Sequence, residues 1–172
     1  MTRPLTVFLR ENISRAIAVV VLVVAAGTIA GAWIFESMGY IPCELCLLGR
    51  VPYYVGIFLA ALTALAAHWG RAGLARLGLA LLALVFLAGA GIAVYHSGVE
   101  FHLWPGPTEC TGALMGALAP EDFMAQLKRV KPVRCDEPAL LVFGLSLAVW
   151  EAVVCLGLSG LAAWCWRRAA RG

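Results

Sequence analysis

The stretch Pro42-Cys43-Glu44-Leu45-Cys46-Leu47-Leu48-Gly49-Arg50 sets two cysteines in a C-x-x-C spacing, with a cation four residues beyond the second. Thiols at this spacing close a small disulfide or share a metal ion, and both chemistries run through the thiolate. If the stretch is helical, Arg50 lies on the face of Cys46 and stabilises that anion. Pro42 suits the first turn of such a helix, where a missing N–H costs no hydrogen bond, and a helix N-terminus lowers the pKa of a nearby thiol. A second pair, Cys110 and Cys135, stands farther along. A permanent staple and a transient catalytic disulfide fit that pair equally well, because exposure and strain decide between them.

The elements that must carry these cysteines are membrane spans. The chain has 172 residues, of which 62% are hydrophobic and only 13% charged, far from the composition of a soluble domain. No charged side chain occurs from Ala16 to Phe35, from Val51 to Ala67 or from Leu77 to Tyr95, and Glu151 alone interrupts Ala139 to Trp166. Each run is long enough for a helix that crosses a bilayer, which takes about 20 residues. The expected architecture is an all-α, four-helix transmembrane bundle, a single domain over 1–172 with spans near 13–35, 45–67, 75–95 and 139–166. The first span reads as uncleaved, since its apolar run is too long for a signal-peptide core and a hairpin partner follows.

Basic residues orient the bundle. Arg3, Arg10 and Arg15 precede the first span, Arg71 and Arg76 separate the second from the third, and Arg167, Arg168 and Arg171 follow the fourth. The positive-inside rule makes these segments, and both termini, cytoplasmic. Loops 36–44 and 96–138 then face outward with Cys43, Cys46, Cys110 and Cys135, which in a bacterium is the oxidising periplasm. The net charge of +3 comes from the anchoring arginines, so nucleic acid is not an expected partner; the lipid bilayer is.

The long outer loop has order of its own. Trp104-Pro105-Gly106-Pro107-Thr108 forms a rigid turn into Cys110, and Pro120 to Val130 has the spacing of a short amphipathic helix, acidic in its first turn and basic in its last. His96 is an imidazole near the outer interface, placed to face Arg50, and reads either as a structural group or as a ligand or proton carrier. Tyr53, Tyr54 and Phe58 form an interfacial belt or line a flat aromatic ligand. Gly27 with Gly31, and Gly89 with Gly91, have the spacing of close helix packing. Cys155 and Cys165 read as buried packing residues. Glu151, about 12 residues into the last span by this reading, is costly to ionise there and reads either as a protonated, hydrogen-bonded group within the bundle or as a proton-handling residue.

Three segments carry a family resemblance: PCELCLLGRVPYY, YHSGVEFHLWPGPTECTG and VRCDEPALLVFGLSLAVWEA. With four spans and two outward cysteine pairs, they closely resemble the disulfide bond formation protein B family, over nearly the whole chain. The resemblance implies a bacterial inner-membrane enzyme that reoxidises a periplasmic DsbA-like thioredoxin-fold protein and passes the electrons to ubiquinone or menaquinone. It implies that Cys110 takes the partner's thiolate, with Cys135 as its loop partner, and that Cys43 and Cys46 form the second disulfide with Cys46 beside the quinone. It further implies that Arg50 and His96 bind the quinone, and it calls for no metal.

Two rivals follow from the residues themselves. Cys43, Cys46, His96 and His102 are candidate ligands for zinc or copper, although the histidines lack the regular spacing of a zinc finger. A non-catalytic scaffold with structural loop disulfides is the other. Cysteines do not encode the direction of electron flow, so oxidase over reductase rests on the resemblance alone.

Overall fold

The computed structural model describes residues 5–107, 131–132, 135–136, 138 and 140–170. Cys110 and the amphipathic helix expected over Pro120–Val130 lie outside these residues. Four helices, α1 (Leu5–Ser37), α2 (Glu44–His68), α3 (Ala72–Glu100) and α4 (Leu147–Ala170), make an all-α bundle. Each contains a stretch long and apolar enough to cross a membrane.

The burial pattern is that of a bundle in lipid. On α1, Ser14, Ile17, Ala18, Val21, Ala25 and Ile29 fall on one helical face and are buried, whereas Val19, Val20, Val23, Val24 and Ile34 face outward. Outward polar residues would mark a soluble bundle; apolar ones are solvated by hydrocarbon. α3 packs on both α2 and α4, and α1 packs chiefly on α2 and only sparsely on α4. At the centre Tyr53 and Phe86 meet edge to face, with centroids 5.7 Å apart, and the Cys155 thiol donates to the Tyr53 hydroxyl at 3.3 Å. Cys155 and Cys165 are buried, as packing cysteines should be.

Small residues divide according to this uneven packing. A Cβ at Gly89 would lie 3.0 Å from Pro52 and 3.1 Å from the Cys155 sulfur, so α3 does approach its neighbours closely there. Gly27, Gly31 and Gly91 have nothing within 4 Å of where a Cβ would be, contrary to the close packing expected of them. For Gly27 and Gly31 the reason is that α4 stands off from α1, and both glycines line a cavity instead.

The connections fix the ends. Gly70, at φ +69°, closes α2 in a Schellman motif, with Arg71 N–H donating to Ala66 O at 2.8 Å and Gly70 N–H to Ala67 O at 3.2 Å. α3 ends the same way: Leu103 N–H donates to Gly98 O at 2.9 Å, and His102 takes the left-handed position at φ 57°. α3 therefore reaches Glu100, and His96 belongs to its last turns instead of the following loop. Trp104 then folds back over Gly98, stacks on Tyr95 at 6.0 Å and donates its indole N–H to Tyr95 O at 2.9 Å.

The last helix starts at Leu147, later than the expected 139, because the apolar run opens with a two-residue hairpin. Strands β3 (Leu141–Val142) and β4 (Leu145–Ser146) pair antiparallel around Phe143 and Gly144, both at positive φ as that turn requires. Ser146 caps α4 by accepting from Val149 N–H at 3.3 Å. Glu151 is consequently in the second turn of α4 instead of deep in the membrane. A parallel pair, β1 (Tyr40–Ile41) with β2 (Lys131–Pro132), ties the connection between α3 and α4 to that between α1 and α2, immediately before Cys43.

The two ends of the bundle differ chemically. Arg71 stands over Trp69, Arg76 over Trp166 and Arg168 over Trp164, the last 4.3 Å from the ring centroid, and Arg15 meets His68 Nδ1 at 3.3 Å. His68, the last residue of α2, is thus a partner of α1. Cys43 and Cys46 are at the opposite end of α2 from this belt.

Candidate functional site

The site grows from the first turn of α2. Cys43 does not sit inside the turn but caps it, in extended conformation (φ −73°, ψ 168°), so that its sulfur accepts the backbone N–H of Cys46 at 3.2 Å. The helix thus directs an orphan donor at Cys43, the sulfur on which a negative charge is best stabilised. Both thiols are free, Cys43 buried and Cys46 half-buried. The Cys46 thiol first, and the His96 imidazole after it, hold the Cys43 thiol far below the ordinary thiol range, to about 5, against the cost of burial.

This shift predicts a thiolate in mildly acidic solution. Titrating the ultraviolet thiolate absorbance of the reduced protein should show one step near pH 5, which Cys43→Ser removes. A protein whose first thiolate appears only at about pH 8–9, the ordinary range, would contradict this geometry. Because the folded value is depressed, the linked stabilisation is complete above the unfolded thiol's pKa and is lost as pH falls through about 5.

His96 reaches the cysteines from α3. Its Nε2 lies 3.8 Å from Cys43 Sγ and 4.0 Å from Glu100 Oε1, one turn on along the same helix. His96 Nδ1 and Glu100 Oε2 are buried with no hydrogen-bond partner among the described residues. His102 is exposed at the turn that ends α3. Among the described residues, the donors brought together are Cys43, Cys46 and His96, all within 4.8 Å of one another.

Arg50 is engaged differently from the expectation. Its Nη1 pairs with Glu36 Oε1 at 2.6 Å, bridging α2 to the end of α1. Glu36 carried no signal in the sequence beyond its place at the end of a span. Glu100 did carry one, the i,i+4 spacing from His96.

Cys135 completes the picture from the other side. It is disulfide-bonded, 1% exposed, and packs in one buried cluster with Cys43, Leu45 and Val99, with Cys46 at its margin. The expected second cysteine pair thus has one member beside Cys43. Cys110, the other, is outside the described residues.

Cys46, Arg50 and His96 all line one cavity of about 310 Å³, in the size range of small-molecule sites. All four helices contribute. Gly27, Gly31 and Phe35 of α1 face Tyr53 of α2 and Trp150 and Val154 of α4 across it, and Glu36, Glu100 and Glu151 add polar groups. Cys43 is not part of the lining. The Glu151 carboxylate lies over Gly49, in the space that any side chain at that position would fill.

A membrane quinone fits these residues. The cavity is largely apolar, it lies where α1 and α4 pack sparsely, and its lining includes His96, Arg50 and Cys46.

Comparison with protein families matches residues 14–165 to the family described as Disulfide bond formation protein DsbB. No curated protein and no solved structure matches the chain.

Proposed function

The chain belongs to the DsbB family of disulfide bond formation proteins, multi-pass membrane thiol oxidases, and from that premise we propose that it is a protein thiol:quinone oxidoreductase. It reoxidises a DsbA-like thioredoxin-fold dithiol protein in the periplasm and delivers two electrons to ubiquinone or menaquinone in the bacterial inner membrane. The observation that carries this reading is the division of labour in the C-x-x-C pair: Cys43 packs against Cys135, while Cys46 faces the cavity.

In the proposed sequence the partner's thiolate attacks the loop disulfide at Cys110, and the partner leaves as a disulfide, with Cys110 and Cys135 reduced. The Cys135 thiolate then attacks Cys43 Sγ of a Cys43–Cys46 disulfide. The Cys43–Cys46 bond breaks as the Cys43–Cys135 bond forms, and Cys46 departs as a thiolate into the cavity lining. Cys110 next attacks Cys135, which restores the loop disulfide and leaves Cys43 and Cys46 reduced. Two electrons and two protons have moved from one dithiol to the other, so the count balances. A bound quinone supplies a two-electron, two-proton acceptor for that dithiol. Arg50 and His96 orient it, the apolar walls exclude water, and the helix N-terminus together with His96 stabilises negative sulfur at Cys43.

The test is a stopped-flow assay of the protein in lipid vesicles with a reduced thioredoxin-fold partner and each quinone in turn. The expected result is one quinone reduced per partner disulfide formed. Partner oxidation with no change in quinone absorbance would overturn the assignment of the acceptor, and no partner oxidation would overturn the reaction.

A further inference from the structure

We propose that the reduced form of the cysteine pair is a zinc-type metal site, with Cys43, Cys46 and His96 as ligands and Glu100 as the fourth. Two thiolates and an imidazole are the donor set that zinc prefers in tetrahedral sites. Their ligand atoms already lie within 4.8 Å of one another, before any ion draws them together. A tetrahedral zinc with ordinary bond lengths holds its sulfur and nitrogen ligands about 3.6 Å apart. The Cys43 Sγ to His96 Nε2 separation is 3.8 Å, so coordination by Nε2 requires little movement.

Two independent features point the same way. Glu100 Oε1 stands 4.0 Å from the same imidazole nitrogen on a side chain that is only 7% exposed, and its Oε2 has no hydrogen-bond partner among the described residues. A buried carboxylate left with an unmatched oxygen beside the imidazole that reaches Cys43 is a setting in which a divalent cation is stabilised. The cap geometry also keeps the Cys43 sulfur in place without the disulfide, since it is held by the Cys46 N–H at 3.2 Å.

The site exists in one redox state only. Closing the Cys43–Cys46 disulfide removes both thiolate donors and leaves His96 and Glu100, too few for tight binding. Zinc therefore captures the dithiol and competes with its oxidation. Metal binding by the reduced pair does not depend on the electron-transfer reading above, whereas inhibition of turnover does.

Cobalt is the probe, because a tetrahedral Co²⁺ site with thiolates shows sulfur charge-transfer and intense visible bands. Protein reduced and then freed of reductant under anaerobic conditions should bind one Co²⁺ with that spectrum, and zinc should bleach it. The disulfide form of the same protein should show no such bands, a control that needs no substitution. Cys46→Ser and His96→Ala should each weaken zinc binding about 100-fold or more, beyond the 10- to 100-fold typical of outer-shell changes. His102→Ala should leave it unchanged. An octahedral cobalt spectrum, equal binding by the oxidised protein, or full affinity in His96→Ala overturns the site. Full affinity in Glu100→Gln overturns the fourth ligand. Quinone turnover measured without metal is a separate readout, so failure of the zinc site and failure of the oxidoreductase reading are told apart.

Discussion

Cys46→Ala is expected to lower quinone-dependent reoxidation of the partner by about a thousandfold or more, which is about 4 kcal/mol at roughly 1.4 kcal/mol per tenfold. Without Cys46 there is no second sulfur to close a disulfide with Cys43, so a two-electron transfer has no donor on the cavity side. The variant should still fold, because Cys46 is only half-buried and its backbone N–H, the part that anchors Cys43, is retained. Measuring partner oxidation by thiol counting and quinone reduction by absorbance in one sample separates the two halves of the relay. A single stoichiometric exchange of the partner with the Cys135 disulfide should survive in the variant, while catalytic turnover disappears. Turnover at even a tenth of the parent rate would contradict the role of Cys46.

Arg50→Ala should raise the apparent KM for quinone by about 10- to 150-fold, the range given by losing one charged hydrogen bond of about 1.5–3 kcal/mol. The effect should fall on KM more than on the single exchange between sulfur pairs, because Arg50 faces the cavity and meets Glu36, not the Cys135 cluster. Glu36→Gln is the informative companion. It keeps the side chain's shape while removing the charge that the guanidinium balances at 2.6 Å, so a milder KM change is expected, together with altered positioning of Arg50. Arg50→Lys should recover part of the loss, as a point charge without the planar fork. An unchanged KM in Arg50→Ala would remove this residue from quinone binding.

What the sequence disclosed depended on whether a signal was local. The four helices were legible because charge-free runs of bilayer length have few alternative explanations. Pro42 and the C-x-x-C spacing announced a helix start, though not that Cys43 would be the cap and Cys46 the cavity-facing thiol. The entry to α4 is hidden in the sequence because Leu141 to Ser146 is as apolar as the helix it precedes, and only the positive φ values at Phe143 and Gly144 distinguish a hairpin there. With the helix starting at Leu147, Glu151 is in its second turn and not 12 residues along it. Arg50 was read along its own helix, toward Cys46, while its partner Glu36 comes from the neighbouring one. Gly27 and Gly31 had the spacing of a helix contact, but spacing does not say which face is presented, and the face they occupy borders the cavity.

Glu151 and Gly49 belong to the same lesson. A glycine in the second turn of α2 looked unremarkable in sequence, and an acid in a span looked expensive; together they are one arrangement in which the missing side chain makes room for the carboxylate. Neither residue alone reveals it.

The short parallel pairing of Tyr40–Ile41 with Lys131–Pro132 bears on how fast the two cysteine pairs communicate. Cys43 follows Ile41 by two residues, and Cys135 follows Pro132 by three, on strands that run in the same direction. Both sulfurs are thereby delivered to one place by the backbone, before either side chain has made a contact. An exchange between sulfurs far apart in sequence becomes, with both held in one place, a reaction at high effective molarity, where orientation alone is worth several powers of ten. In the proposed relay the hand-over between pairs is then a first-order event inside one molecule, indifferent to dilution, which leaves encounter with the partner or the acceptor to set the pace.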